Sequence, residues 1–217
     1  MTTTTTTAAH RVATPPRVAL VALAAAGPLA IAALRGVLPY STADDTATAV
    51  AKIAAAPGAQ AAVLGLGYLA LLVLPLGVLV VARVAVATRP VLGTVAAVVA
   101  WTGFVSLFAG AGLDAIAYAG ARAGVPGDAL VRLVTALDAD PVTGLPGLVF
   151  VVGHILGAVL LGVAVRGAVP GWAALALVVS QPLHLVFAVV VPNRALDVLA
   201  WGLTAVGFAA VAARAAR

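Results

Sequence analysis

Six side chains combine chemical reactivity with an apolar sequence setting: His154, His184, Gln181, Asp114, Asp197 and Arg35. His154 and His184 sit inside long runs of Ala, Val, Leu and Gly. An ionisable group at membrane depth is expensive, which makes it a functional-site hypothesis by default. Two imidazoles on facing helices are the ligand set of a b-type haem. With a carboxylate added they approach a zinc site, but no H-x-x-x-H spacing is present, and no metal is assigned. His with Asp can relay protons. Asp114 or Asp197 could serve as the acid of a cyclase, yet aromatic residues, the faces that would hold a carbocation, are only 5% of the chain. The same groups without a cofactor would line a pocket for a small polar molecule. Each also has a purely structural role open to it. A buried His can hydrogen-bond a neighbouring helix, Asp197 can serve as a helix N-terminal charge, and Arg35 can snorkel to an interface.

Composition decides what must position these groups. The chain has 217 residues, 64% hydrophobic and 9% charged, with a mean hydropathy of +1.18. A soluble domain is roughly 45–50% apolar and about 25% charged, so these charges cannot cover a water-soluble fold of this length. A soluble enzyme, a nucleic-acid-binding domain and a disordered chain are excluded, and an integral membrane protein is left. There is no Cys, which removes disulfides and thiolate chemistry. No Walker A, dinucleotide-binding or Ser–His–Asp pattern occurs. There is no Glu, and Lys52 is the only Lys.

A membrane span takes ~20 mostly apolar residues. Six such runs are present, at 18–38, 61–82, 91–114, 146–165, 170–191 and 195–213. The expected fold is therefore all-α, a polytopic bundle of six transmembrane helices over 18–213. It is flanked by a disordered cytoplasmic tail at 1–17, carrying the Thr2–Thr7 run, and a cytoplasmic tail at 214–217. The first apolar run continues to Leu34, past a typical signal-peptide core of ~7–15 residues, and is read as an uncleaved helix. With the N-terminus inside, the inner side holds Arg11, Arg17, Arg83, Arg89, Arg166, Arg214 and Arg217 and no Asp, which favours both termini in the cytoplasm. Tyr40 and Tyr118 at outer ends and Trp172 at an inner end suit interfacial belts.

Two outer loops predict short amphipathic helices. Asp44 or Asp45 can cap one that places Val50, Ile53 and Ala54 on one face, and Asp128 can cap a second with a Leu130, Leu133, Val134, Leu137 stripe. They could lie on the membrane surface or pack across the mouth of the bundle. At ~1.5 Å rise per residue, His154 lies about 12 Å and His184 roughly 10 Å below the outer surface, on adjacent antiparallel helices. Arg35, Tyr68, Asp114, Gln181 and Asp197 fall in the same half, and Pro182 predicts a kink beside His184. Gly153 and Gly157 form a G-x-x-x-G spacing suited to close helix approach. The polar groups thus suggest a pocket open to the outer side and closed below by apolar packing.

In layout the chain resembles a family of uncharacterised six-helix bacterial membrane proteins. The stretches that carry the likeness are Pro39–Ala56, with its acidic pair and following Val/Ala/Ile helix, and LVFVVGHILGAVLLGVAVRGAVPGWAALALVVSQPLHLV from Leu148 to Val186. In the latter the His of the fourth span, the short basic turn and the Pro before the fifth span are similar to the family pattern. The turn after Arg166 departs from it, having no Lys or bulky residues. The resemblance implies the six-helix fold and a bacterial plasma membrane, and no settled activity. The expected function is binding, sensing or transport of a small molecule through the outer pocket. The alternative is a membrane enzyme with b-type haem on His154 and His184. Expected partners are the lipid bilayer, a small-molecule ligand and further copies of the chain, without nucleic acid; no cofactor is assigned.

Overall fold

The computed structural model describes residues 16–215. The expected tail at 1–17 lies outside the described residues except for Pro16 and Arg17, and Arg17 already opens the first helix. Ala216 and Arg217 also lie outside them.

The described residues form an all-α bundle. Its elements are α1 (Arg17–Val37), α2 (Thr46–Ala55), α3 (Pro57–Thr88), α4 (Pro90–Val105), α5 (Leu107–Arg122), α6 (Gly127–Ala139), α7 (Pro141–Ala164), α8 (Gly171–Leu185), a π-helical turn Val186–Val190, and α9 (Arg194–Ala215). Six segments are long and apolar enough to cross a membrane: α1, α3, α4 with α5, α7, α8 with the π-helical turn, and α9. The protein is an integral membrane protein of the multi-pass class. An even number of crossings puts the start of α1 and the end of α9 at one face, called here the terminal face. The loops carrying α2 and α6 lie at the opposite, far face.

Several boundaries differ from the sequence-based expectation. The third span continues well beyond Asp114, to Arg122, and is broken at Ser106, whose hydroxyl donates to the Thr102 carbonyl at 2.8 Å. Such back-bonding bends helices. The fourth span starts at Pro141 rather than Pro146, because the Asp140 carboxylate accepts from the Val142 and Thr143 amides and caps the earlier turn. Asp45 caps α2 as expected, accepting from the Thr48 amide at 2.7 Å. Asp128 is not a cap: α6 begins one residue earlier behind Pro126, and Asp128 pairs instead with Arg132 at 2.7 Å. At 32 residues, α3 is about 48 Å long and exceeds one span. Its far end, with that of α5, supports α2 and α6. These two pack on each other and on α5 through Val50, Ile53, Ala117 and Leu130, a small core across the mouth of the bundle.

The main core lies between α1, α3, α4, α7, α8 and α9 and is built from Ala, Val, Leu and Gly. Glycine decides where helices touch. A Cβ at Gly27 would fall on the Leu74 backbone, and one at Gly103 on the backbone of Gly153 and His154. In lipid, where apolar burial gives little drive between helices, this close contact is a main source of cohesion.

Candidate functional site

α9 presents Asp197, Trp201 and Thr204 at i, i+4 and i+7, one helical stripe. α8 faces it with Gln181 and His184 at i and i+3. The two stripes interlock as a ladder of polar contacts. The Asp197 carboxylate is 2% exposed. Its Oδ2 accepts from Arg35 Nε of α1 and its Oδ1 lies against His184 Nδ1, each at 2.5 Å. One helical turn deeper along the stripe, Trp201 Nε1 approaches His184 Nδ1 at 3.1 Å. A carboxylate is acceptor only, so Nδ1 carries a proton toward Asp197, and carboxylate and indole compete for one nitrogen. Deeper still, Gln181 Nε2 donates to Thr204 Oγ1 at 2.7 Å.

α7 adds His154 from the side. Its ring centroid lies 5.7 Å from that of His184, so the structure brings the two imidazoles together as the sequence levels implied. Phe150 stacks on His154 at 4.2 Å, and Trp201 lies nearly parallel to it at 6.1 Å. Phe104 closes another side at 5.8 Å. His154 Nδ1 donates to the Phe150 carbonyl at 2.5 Å, so Nε2 holds the lone pair. Among the described residues that nitrogen is buried without a hydrogen-bond partner, as is Gln181 Oε1. Buried acceptors left alone cost about 1–3 kcal/mol each, so the core around the ladder keeps polar capacity in reserve.

A cleft of about 190 Å³ opens above the ladder at the far face. Asp197 and Arg35 form its floor; Tyr40, Ser41, Phe187, Asn193 and Arg194 stand around it. Arg35 Nη2 also donates to Thr42 Oγ1 at 2.7 Å, which fixes the guanidinium between the ladder and the loop after α1. Of the six candidate residues, Arg35, Asp197 and His184 form one bonded unit. His154 and Gln181 lie deeper, buried and away from the cleft wall. Pro182 does not end α8; the chain widens into the π-helical turn four residues later, just below Pro192 and Asn193.

Asp114 belongs to a second cluster. Its Oδ1 accepts from the Tyr40 hydroxyl at 2.8 Å, and Gln60 of α3 lies beside it. Gln60 is fully buried, and neither amide atom has a hydrogen-bond partner among the described residues. Tyr68 is 49% exposed on the outside of α3 and joins neither cluster. Sequence reasoning missed Gln60, Trp201 and Thr204. The i, i+4, i+7 stripe of Asp197, Trp201 and Thr204 was the available signal for the last two.

Burial and the Asp114 carboxylate both push the Tyr40 phenol well above its ordinary value near 10. The unfolded chain releases this proton above about pH 10 while the folded chain keeps it, so stability falls as pH rises past that value. Alkaline titration of the folded protein is expected to show no phenolate absorbance from Tyr40, and Tyr40→Phe to leave the folded-state signal unchanged. A smaller signal in the variant at pH 11 would show that Tyr40 ionises freely.

Among the described residues no three His, Asp, Glu or Cys side chains gather into a metal-binding group. No family model, curated protein or solved structure matches the chain.

Proposed function

We propose that this membrane protein binds a small polar molecule in the far-face cleft, as a receptor or carrier. The observation that carries the proposal is the Arg35–Asp197–His184 unit, built on a buried carboxylate, at the floor of an open cleft. Three ionisable groups held this way at the edge of a bundle are costly, and such groups mark ligand or ion sites in membrane proteins. Below Gln181 and Thr204 the buried residues described are apolar or Gly except Ser180, whose hydroxyl donates to the Leu177 carbonyl of its own helix at 3.1 Å. This favours binding at one side over a continuous polar path.

The arrangement around His154 and His184 weighs against the enzyme alternative. A b-type haem needs a slot between two imidazoles for the whole macrocycle. Here Trp201 and Phe104 stand against the imidazole pair, and a slot would displace both rings. The residues present do not fit the group.

Orientation follows from the basic residues. Arg17, Arg83, Arg89, Arg166 and Arg214 lie at the terminal face, while Asp44, Asp45, Asp128, Asp138 and Asp140 lie at the far face. In the sequence Arg11 and Arg217 bring the terminal side to seven basic residues, against Arg35, Lys52, Arg122, Arg132 and Arg194 on the far side. This bias supports a cytoplasmic terminal face with the cleft open to the outside, in the bacterial plasma membrane that the resemblance implies. The absence of Cys makes the test direct. Asn193→Cys on intact cells should react with a membrane-impermeant maleimide, and a panel of acids, amines, sugars and amides should contain members that slow the reaction saturably. Labelling only after cell rupture would reverse the orientation. A rate that no compound changes would remove the pocket.

A further inference from the structure

Within that binding reading, on which this inference rests, the cleft carries a clear hydrogen-bonding bias. Apart from the Tyr40 hydroxyl, which gives its proton to Asp114, its side-chain acceptors each already hold a hydrogen bond. Both Asp197 oxygens are engaged by Arg35 and His184. Asn193 Oδ1 accepts from the Leu196 amide at 3.1 Å, and Ser41 Oγ accepts from the Ala43 amide at 3.2 Å. Its donors are in surplus. Of the Arg35 nitrogens only Nε and Nη2 are engaged among the described residues, leaving Nη1. Arg194 takes part in no ion pair among the described residues. With Oδ1 taken, the Asn193 amide nitrogen is left to donate, and the Ser41 hydroxyl keeps its proton. Formal charge points the same way: two guanidiniums and one carboxylate line the cleft.

We infer that the cleft takes an anionic group, a carboxylate or phosphate, held between Arg35 and Arg194. Guanidinium groups match the planar oxygen pairs of such anions and lose less hydration than an ammonium would. Asp197 does not repel the ligand strongly, because Arg35 and His184 occupy both its oxygens. The apolar wall of Phe187, Ala188 and Leu38 leaves room for a short carbon chain behind the head group. A free organic acid or phosphate and an anionic lipid head group share this chemistry.

The test uses the purified full chain in neutral detergent at constant ionic strength, with thermal stability read against inorganic phosphate, succinate, choline and glucose. A second arm places the protein in nanodiscs of phosphatidylcholine with or without phosphatidylglycerol. Phosphate or succinate should raise Tm saturably, and Arg194→Gln should weaken that binding about ten-fold, the worth of one charge-assisted contact. Arg194 is exposed and without an ion pair among the described residues, so this variant should fold. Arg132→Gln, which removes a far-face charge outside the cleft, should bind like the parent. Stabilisation confined to phosphatidylglycerol discs and weakened by Arg194→Gln would assign the site to a lipid head group. If choline or glucose stabilises and the anions do not, the pocket stands and the anion assignment falls. Equal loss in Arg132→Gln would reduce the effect to diffuse surface charge and overturn the assignment. No shift with any probe in either arm would overturn both the assignment and the pocket.

Discussion

Asp197→Ala is expected to cost about 3–5 kcal/mol of stability, the price of leaving a buried charge unpaired. Among the described residues the carboxylate alone joins Arg35 of α1 to His184 of α8, and it is itself on α9. Removing it strands a guanidinium whose side chain is 15% exposed and an imidazole 13% exposed. Three helices lose their shared tie at the far face. In a chain of this size the loss corresponds to roughly 10 °C in Tm. Heating followed by size-exclusion chromatography would measure it. The diagnostic comparison is the double variant Arg35→Gln with Asp197→Asn. Because it leaves no orphaned guanidinium, it should be more stable than the sum of the single effects by over about 1 kcal/mol. Strict additivity would mean that the two groups do not interact.

Gly103→Val should be at least as damaging. The α4–α7 contact places Gly103 directly on the backbone of Gly153 and His154, where a Cβ has no room. Backbone cannot swing aside as a flexible side chain can, so the helices must part, at a cost of about 3 kcal/mol or more. The consequence reaches the site, because the backbone being displaced is that of His154. Loss of stability should therefore be accompanied by a changed Trp fluorescence, since Trp201 lies parallel to the His154 ring. Gly202→Ala is the control: a Cβ there meets nothing, and a gain of up to about 1 kcal/mol from helix propensity is expected. An unaltered melting point in Gly103→Val would show that α4 and α7 do not touch at this position.

The fold was legible because span length is set by the bilayer and runs of apolar residues cannot hide. The ends were harder. Asp114 reads as the end of a span only if helices stop where hydrophobicity fades; α5 continues to Arg122 because the packed α2 and α6 give it a second, smaller core. Asp128 looked like a cap because its neighbours fit the pattern, but Gly127 was free to start the helix one residue sooner. In the site, equal depth on adjacent helices correctly paired His154 with His184. Depth alone could not show which of the two touches Asp197, since rotation about the helix axis is set by packing. For the same reason Gln181 reads as a pocket residue, whereas its amide is turned inward to Thr204. Trp201 shares a helical stripe with Asp197, but that signal was weak because an aromatic in a span is ordinarily lipid-facing or core, and its contact with His184 is what gives it a polar role.

The position of the cleft has an electrical consequence. The potential across a membrane falls mainly through its low-dielectric part, and moving one charge through all of it is worth about 2.3 kcal/mol per 100 mV. Here the dry, apolar stretch lies between Thr204 and the terminal face, while the cleft sits on the solvent side of the ladder. An ion entering the cleft crosses only a small part of that drop. Its occupancy should follow concentration on the far side and remain nearly indifferent to membrane voltage.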